Sequence, residues 1–137
     1  INVDADARAF GYVLGQVPRM PSTYRSEQAA MAAAQNAHIP WFDGDLIVRV
    51  GALVSSYSFV TPERAARIAA DFAGVFATDM ESSAIAQTAH VFGLPFVSVR
   101  GISDLCTPGE FTAHVDDAAD RSAAVVAHLL DTLPAPV

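Results

Sequence analysis

Three short clusters of polar side chains each follow an apolar stretch of this 137-residue sequence, and two of the clusters contain carboxylates. The clusters are Ser55-Ser56-Tyr57, Asp79-Met80-Glu81, and Arg100 with Ser103 and Asp104. Carboxylates accept hydrogen bonds from hydroxyl groups, and a carboxylic acid can give a proton to a leaving group. These residue types together suit a polyhydroxylated ligand from which a leaving group departs with acid assistance.

Each charged residue in these clusters also has an explanation that involves no ligand. Glu81 opens a predicted helix, where an acidic side chain complements the helix dipole by about 0.3–1 kcal/mol. Asp104 equally suits a loop cap, and Arg100 suits a surface ion pair. The sequence leaves both explanations open for all three residues.

Metal and cofactor chemistry has little support in the sequence. Four histidines are scattered, and none pairs with another His or Cys at ligand spacing: His38, His90, His114 and His128. Cys106 is close to Asp104 but has no His beside it, and it is interpreted as a small apolar residue of the loop. Since no glycine-rich phosphate loop occurs either, we expect neither a metal nor a cofactor.

Charge and apolar content restrict the partners and the location of the chain. Eight basic residues, all Arg and dispersed, stand against fifteen acidic ones and leave a net charge of −7, which argues against a nucleic-acid partner. Apolar runs such as Leu46–Val48 and Leu94–Val99 are too short to span a bilayer. One cysteine fits a reducing compartment. We expect a soluble, cytoplasmic protein with no membrane partner.

Apolar stretches rich in β-branched residues predict the strands that position the clusters. Leu46–Val54 is apolar almost throughout, which is typical of a strand buried on both faces. Val75–Thr78 and Phe96–Arg100 predict two further strands, and Pro40–Asp45 predicts a turn. The segment up to Pro21 has no helical period and predicts an extended connection.

Helical spacing of apolar residues, together with end signals, predicts four helices. The first helix begins at a Ser22 or Ser26 cap and ends before Pro40, and the second begins at Thr61-Pro62 and ends at Gly74. The third extends from Glu81 to Phe92 and is stopped by Gly93. The fourth has one apolar face from Val115 to Leu133 and is stopped by Pro134.

The alternation of strands and helices predicts a three-layer α/β fold, with a mostly parallel or mixed central sheet and helices on both faces. About three good strands are fewer than the roughly 4–6 of a typical sheet, so we expect the sheet to lack its N-terminal strands. In open α/β sheets, ligands bind beyond the carboxyl ends of the strands. The three polar clusters follow those ends.

Two separated strings of the sequence resemble a known enzyme family. Residues 79–104, DMESSAIAQTAHVFGLPFVSVRGISD, resemble the C-terminal signature of the nucleoside phosphorylase and nucleosidase superfamily: an acidic-Met-Glu triplet at a helix start, then an apolar strand ending in Arg-x-Ile-Ser-Asp. Residues 4–21, DADARAFGYVLGQVPRMP, resemble the 5′-methylthioadenosine/S-adenosylhomocysteine nucleosidases within it. The similarity runs over nearly the whole chain.

The resemblance implies hydrolysis of the N-glycosidic bond of adenine nucleosides without a cofactor. On the base side, Asp104 would be the general acid for N7 of adenine, with Ser103 orienting it. Leu53 and Val54 would line the purine site and bind the base partly through backbone groups. Family members usually carry Phe where Leu53 stands, so aliphatic packing would replace aromatic stacking here.

On the sugar side, the resemblance implies that Glu81 binds the ribose hydroxyls. Met80 would pack under the sugar with Asp79 close by, and Arg100 would help hold the sugar or the attacking water. A separate set matches family positions that reach into the neighbouring subunit of a homodimer and close its alkylthio pocket: Phe10, Tyr12 and Pro18.

The family's N-terminal part, with its first strand, its water-activating Glu and a Gly-containing loop near the ribose, has no counterpart in these residues. We therefore expect residues 1–137 to be the C-terminal part of a single nucleosidase domain, inactive by itself. Three alternatives stay open: a hydrolase of another nucleoside such as futalosine, a phosphorylase, and a non-catalytic nucleoside-binding or dimerisation module.

Overall fold

Strands and helices alternate along much of the chain. The computed structural model describes residues 1–42, 44–106 and 110–134. Its elements are β1 (Asn2–Val3), α1 (Gln28–Gln35), β2 (Pro40–Trp41), β3 (Gly44–Asp45), β4 (Ala52–Ser55), α2 (Pro62–Asp71), β5 (Val75–Asp79), α3 (Ser82–Phe92) and α4 (Glu110–Thr132). Within these residues, no helix combines the length and apolar character that crossing a membrane requires.

The elements belong to two units, each assembled from segments distant in the sequence. The first unit comprises residues 1–26 and 51–96, and it contains β1, β4, α2, β5 and α3. The second unit comprises residues 27–50 and 97–137, and it contains α1, β2, β3 and α4.

A three-stranded parallel sheet in the order β1-β4-β5 is the framework of the first unit. The helix α2 connects the parallel neighbours β4 and β5, which cannot be joined by a tight hairpin. Val54 on the central strand is only 1% exposed, and Val3 on β1 packs with Tyr24 and Ala86 in a buried cluster. The predicted α/β class with a mostly parallel sheet is confirmed.

Local end signals are confirmed in α2 and α3. The hydroxyl of Thr61 accepts a hydrogen bond from the Arg64 N–H, and Pro62 occupies the first helical position. At the end of α3, Gly93 adopts a left-handed conformation with φ 64°. These signals act within a few residues, so the sequence alone is sufficient to predict them.

The strand predicted at Leu46–Val54 is wrong in its first half. Only Ala52–Ser55 pairs with other strands, and residues 46–50 belong to the second unit. There Leu46 and Val48 pack against the core while Ile47 is 83% exposed, so the apolar run is not buried on both faces. An apolar run predicts burial but does not supply the backbone partner that a strand requires.

The strand predicted at Phe96–Arg100 is likewise not found among the paired strands of the described residues. Phe96 packs against the Val3 cluster of the first unit, whereas Val99 packs against the core of the second unit. The run is therefore divided between two cores. No strand in the described residues lies alongside it.

Packing of α1 against α4 organises the second unit. Its buried core is Ala34, Ile39, Val125 and Leu129. The predicted apolar face of the last helix is confirmed at Ala118, Val125 and Leu129, although Val126 is exposed. The predicted turn at 40–45 is a hairpin between β2 and β3; Asp43 lies outside the described residues.

The cap of α1 differs from the prediction, because Glu27 replaces Ser22 and Ser26 in that role. The Glu27 carboxylate accepts a hydrogen bond from the Ala30 N–H at 2.7 Å. Hydrogen bonds from the helix amides, that of Ala30 first, hold the pKa of Glu27 below its usual range. A glutamate thus performs the capping task more often met by Ser, Thr, Asp or Asn.

We expect Glu27→Ala to lower the urea concentration at which the protein unfolds at neutral pH. Because the folded state has the lower pKa, the stabilisation is present above the pKa of the unfolded chain and is lost as the pH falls through the folded-state value. The difference from wild type should therefore shrink in acid. Gln28→Ala, at the exposed next residue, is the control, and a pH-independent difference contradicts the assignment.

Candidate active site

The three parallel strands of the first unit end at the same level of the sheet. Val3 is in register with Ser55, and Ser55 is in register with Asp79. The main chain continues this pairing by one step, because the Asp4 N–H donates to the Ser55 carbonyl and the Ser56 N–H donates to the Asp79 carbonyl, both at 2.8 Å. The segments that follow the strands are therefore aligned along one edge.

The first amide groups of α3 receive acceptors from two strand ends. Asp79 accepts hydrogen bonds from the N–H and from the hydroxyl of Ser82. The buried hydroxyl of Ser55 accepts a hydrogen bond from the Ser83 N–H at 2.9 Å. Helix-terminal amides need such acceptors when they are buried. Asp79 and Ser55 together provide the cap.

Glu81 occupies the N-cap position of α3, yet its side chain makes no capping hydrogen bond. Its residue is exposed, and Met80 beside it is exposed as well. Asp79 and Ser55 supply the capping acceptors, and the helix-dipole explanation of Glu81 does not depend on a capping bond. A carboxylate in this position is suited to accept hydrogen bonds from ligand hydroxyls.

Leu53 and Val54, the predicted purine-site residues, lie on the central strand of the sheet. Both side chains are buried. Val54 is in register with Asn2 on one side and with Thr78 on the other, whereas Leu53 has a register partner only on β5, at Ala77. The two residues lead directly into Ser55, so they share the edge that carries Asp79 and Glu81.

The second unit holds the Asp104 carboxylate in a defined orientation. The Ser103 hydroxyl donates to Oδ2 at 2.6 Å, and the Cys106 N–H donates to Oδ1 at 2.7 Å. Cys106 is in the left-handed region with φ 63°, which is uncommon for a residue other than Gly. The sequence prediction placed Ser103 beside Asp104, and the contact is present; the contribution of Cys106 was not predicted.

Gly101, next to the exposed Arg100, lies directly against α4. A Cβ atom on Gly101 would lie 1.9 Å from the carbonyl oxygen of Ala118. Only a glycine permits this approach without a shift of main chain. A glycine directly after a predicted strand is the sequence signal for such a contact, and the sequence prediction did not use it.

Aromatic residues of the N-terminal segment are exposed in the first unit. Phe10 ends a short 3-10 helix and is 81% exposed. Pro18 is exposed and Tyr12 is half-buried. Hydrogen bonds within the segment hold its turns in place. The Gln16 side-chain amide donates to the Met20 carbonyl, and the Gln16 side-chain oxygen accepts from the Val13 N–H. It is thus an ordered apolar surface.

The described residues contain no group of three or more His, Cys, Asp or Glu side chains suited to a metal ion. The chemistry that these residues support is that of carboxylates, of which Asp104 is held in one orientation. One of these, Asp104, lies in the second unit, and the other, Glu81, lies in the first.

Comparison with known proteins gives consistent similarities. The family model described as phosphorylase superfamily matches residues 1–131. The chain is 40% identical over 134 residues to the 5′-methylthioadenosine/S-adenosylhomocysteine nucleosidase of Staphylococcus saprophyticus, covering 95% of this chain and 58% of that protein. It therefore spans little more than half the length of this relative.

Two solved structures extend the similarity to three dimensions. The Neisseria meningitidis 5′-methylthioadenosine/S-adenosylhomocysteine nucleosidase in complex with methylthio-immucillin-A has a TM-score of 0.85 and 36% identity, over 95% of this chain and 57% of that one. The futalosine hydrolase of Helicobacter pylori has a TM-score of 0.79 and 25% identity, over 97% of this chain and 58% of that one.

We expect Gly101→Ala to destabilise the protein by about 1–3 kcal/mol, the usual range for forcing extra atoms into a packed site. The physical reason is the collision with the Ala118 carbonyl, which belongs to main chain. Gly44→Ala is the matched control in the same unit, because a Cβ there meets nothing within 4 Å. Urea denaturation of both variants is the measurement. Equal stability of the two contradicts the contact.

Proposed function

The chain belongs to the phosphorylase superfamily, and from that premise we propose that it acts in the hydrolysis of the N-glycosidic bond of an adenine nucleoside. The substrates proposed are 5′-methylthioadenosine and S-adenosylhomocysteine, after the names of its relatives. The observation that carries the proposal is the Asp104 carboxyl group, whose two oxygens accept hydrogen bonds from the Ser103 hydroxyl and the Cys106 N–H. The activity proposed is that of the complete protein, of which this chain is all or part.

Asp104 is proposed as the general acid at N7 of the departing adenine. Cleavage of the glycosidic bond leaves electrons on the purine, and a proton given to N7 neutralises them. The Ser103 hydroxyl and the Cys106 N–H hold the two oxygens of the carboxyl group, which supports a fixed direction of proton transfer. Ser103 is proposed as a positioning residue for this reason.

Glu81 is proposed to bind the ribose hydroxyls. A charged acceptor strengthens such hydrogen bonds, and positive charge develops on the sugar as the base departs, so the carboxylate favours the transition state. Met80, adjacent and exposed, is proposed to pack under the sugar. Arg100 is proposed to hold the sugar or the attacking water, whose activation the resemblance assigns to a Glu outside these residues.

Leu53 and Val54 are proposed to line the base site, and Asp79 is proposed to support the ribose site through the cap of α3. A futalosine-type hydrolase is the second candidate, favoured by the similarity to the Helicobacter pylori enzyme. Both reactions break an N-glycosidic bond to a ribosyl group, and the 5′ substituent of the substrate distinguishes them.

A homodimer is proposed in which Phe10, Tyr12 and Pro18 reach the neighbouring subunit. The ordered, exposed apolar surface of this segment supports the proposal, since contiguous patches of this kind mark interaction sites. Sedimentation at micromolar concentration is the measurement, and a monodisperse monomer contradicts it.

In the complete enzyme, we expect Asp104→Asn to lower kcat for 5′-methylthioadenosine hydrolysis at least ~100-fold, the usual contribution of a general acid. Nucleoside binding should stay within about tenfold, because Asn keeps the size of Asp and its hydrogen bonding but cannot transfer a proton. Release of free ribosyl sugar identifies a hydrolase, and phosphate-dependent sugar 1-phosphate identifies a phosphorylase. A variant that keeps more than about a tenth of wild-type kcat removes Asp104 from this role.

We expect Glu81→Gln to weaken substrate binding and to lower turnover together. The amide keeps the shape of the side chain and loses the charge, and a hydrogen bond to a charged group contributes ~1.5–3 kcal/mol. Steady-state kinetics and thermal unfolding are measured on the same preparation. If only the unfolding temperature falls, Glu81 serves the helix and not the ligand.

A further inference from the structure

An ion-pair network centred on the largely buried Asp4 lies at the carboxyl edge of the sheet. Asp4 follows β1 directly, and its side chain is 10% exposed. Its carboxylate accepts hydrogen bonds from Arg64 Nε at 2.7 Å, from Arg67 Nη2 at 3.1 Å and from the Ser56 hydroxyl at 3.2 Å. One carboxylate thus joins β1, α2 and the segment after β4.

The network also fixes the segment after β4 from a second position. Arg64 donates through Nη1 to the hydroxyl of Ser58 while its Nε is held by Asp4. Arg64 and Arg67 are three residues apart on α2, so their side chains project from the same side of the helix. Ser56 is therefore bonded to Asp4 directly, and Ser58 is connected to Asp4 through Arg64.

On its other side, this segment is connected to α3. The Ser55 hydroxyl accepts the Ser83 N–H, and the Tyr57 hydroxyl accepts a hydrogen bond from Gln87 Nε2 at 2.8 Å. The Ser56 N–H donates to the Asp79 carbonyl. A displacement of residues 55–58 therefore displaces the first turn of α3, which follows Glu81.

Stability alone is a weak explanation for the Asp4 network. Removing a carboxylate and a guanidinium from water is unfavourable, and apolar residues in the same place often stabilise a fold as well or better. Arg64 also lies in the first turn of α2, where the helix dipole disfavours a cation. The arrangement does, however, give one fixed geometry to the segment that joins β4 with α3.

We propose that Asp4 is a positioning residue for the nucleoside site: through Ser56, Arg64 and Ser58 it holds residues 55–58, and through Ser55 it fixes the turn that carries Glu81. This inference rests on the proposed function for its kinetic consequence. Its structural consequence, order in residues 55–58 and in the first turn of α3, is independent of any activity.

The test compares Asp4→Asn with Asp6→Asn. Asp6 also binds an arginine, Arg8, at 2.6 Å, but this pair is exposed and involves no atom of residues 55–58. We expect Asp4→Asn to raise KM for 5′-methylthioadenosine at least tenfold, with a smaller effect on kcat. Asp6→Asn should change KM and kcat by no more than twofold. Asp4→Glu, which keeps the charge, should have a KM between those of wild type and Asp4→Asn.

Amide hydrogen exchange supplies the readout that does not depend on catalysis. Asp4→Asn should accelerate exchange at residues 55–58 and at Ser83, and Asp6→Asn should not. The kinetics are measured on the complete enzyme. If that enzyme in its wild-type form hydrolyses no nucleoside, the proposed function fails while the exchange comparison still decides the positioning role. Unchanged KM and unchanged exchange in Asp4→Asn overturn the inference.

A second variant covers the case in which Asp4→Asn does not fold. Ser56→Ala combined with Ser58→Ala removes the connections to the segment and leaves Asp4 paired with Arg64 and Arg67. Faster exchange at residues 55–58 and a raised KM support the positioning role. Wild-type values of both in this variant overturn it.

Discussion

A helix whose first residues are buried needs acceptors for their amide groups, and the first unit depends on how that requirement is met at α3, where Ser82 and Ser83 are buried. The register of the strands brings Ser55 level with Asp79. Asp79 then accepts from Ser82, and Ser55 accepts from Ser83. Two strand ends thus share the capping of α3, and the side chain of Glu81, the residue at the N-cap position, takes no part in it.

The same requirement explains why the segment after β4 is polar although β4 itself is buried. Ser55 is in contact with α3, and Ser56 and Ser58 are in contact with the Asp4 network. Each hydroxyl bonds a donor or acceptor of a different element, and the bond of Ser55 to the Ser83 N–H is buried. The serines are therefore structural connections between neighbouring strand ends, and the proposed ligand groups are the carboxylates beside them.

In the second unit the corresponding constraint is the close approach of main chain to main chain at Gly101 and Ala118. It places Gly101, three residues before Asp104, against α4. Because the main chain turns at Cys106, the Cys106 N–H donates a hydrogen bond to Oδ1 of Asp104, while the Ser103 hydroxyl donates to Oδ2. Backbone geometry thus orients Asp104, and this explains how a single loop can hold a carboxylate in one direction.

The sequence by itself determined the features whose causes lie within a few residues: the Thr61-Pro62 start of α2, the Gly93 end of α3, the apolar face of α4 and the polar clusters at the ends of β4 and β5. Tertiary structure decided the rest. It shortened the predicted strand at Leu46–Val54 and left Phe96–Arg100 outside the sheet. It also gave the Ser83 N–H an acceptor in Ser55, 28 residues away, and Arg64 an acceptor in Asp4, 60 residues away. A strand needs a neighbour and a buried donor needs an acceptor, and only the folded chain brings partners so distant in sequence together.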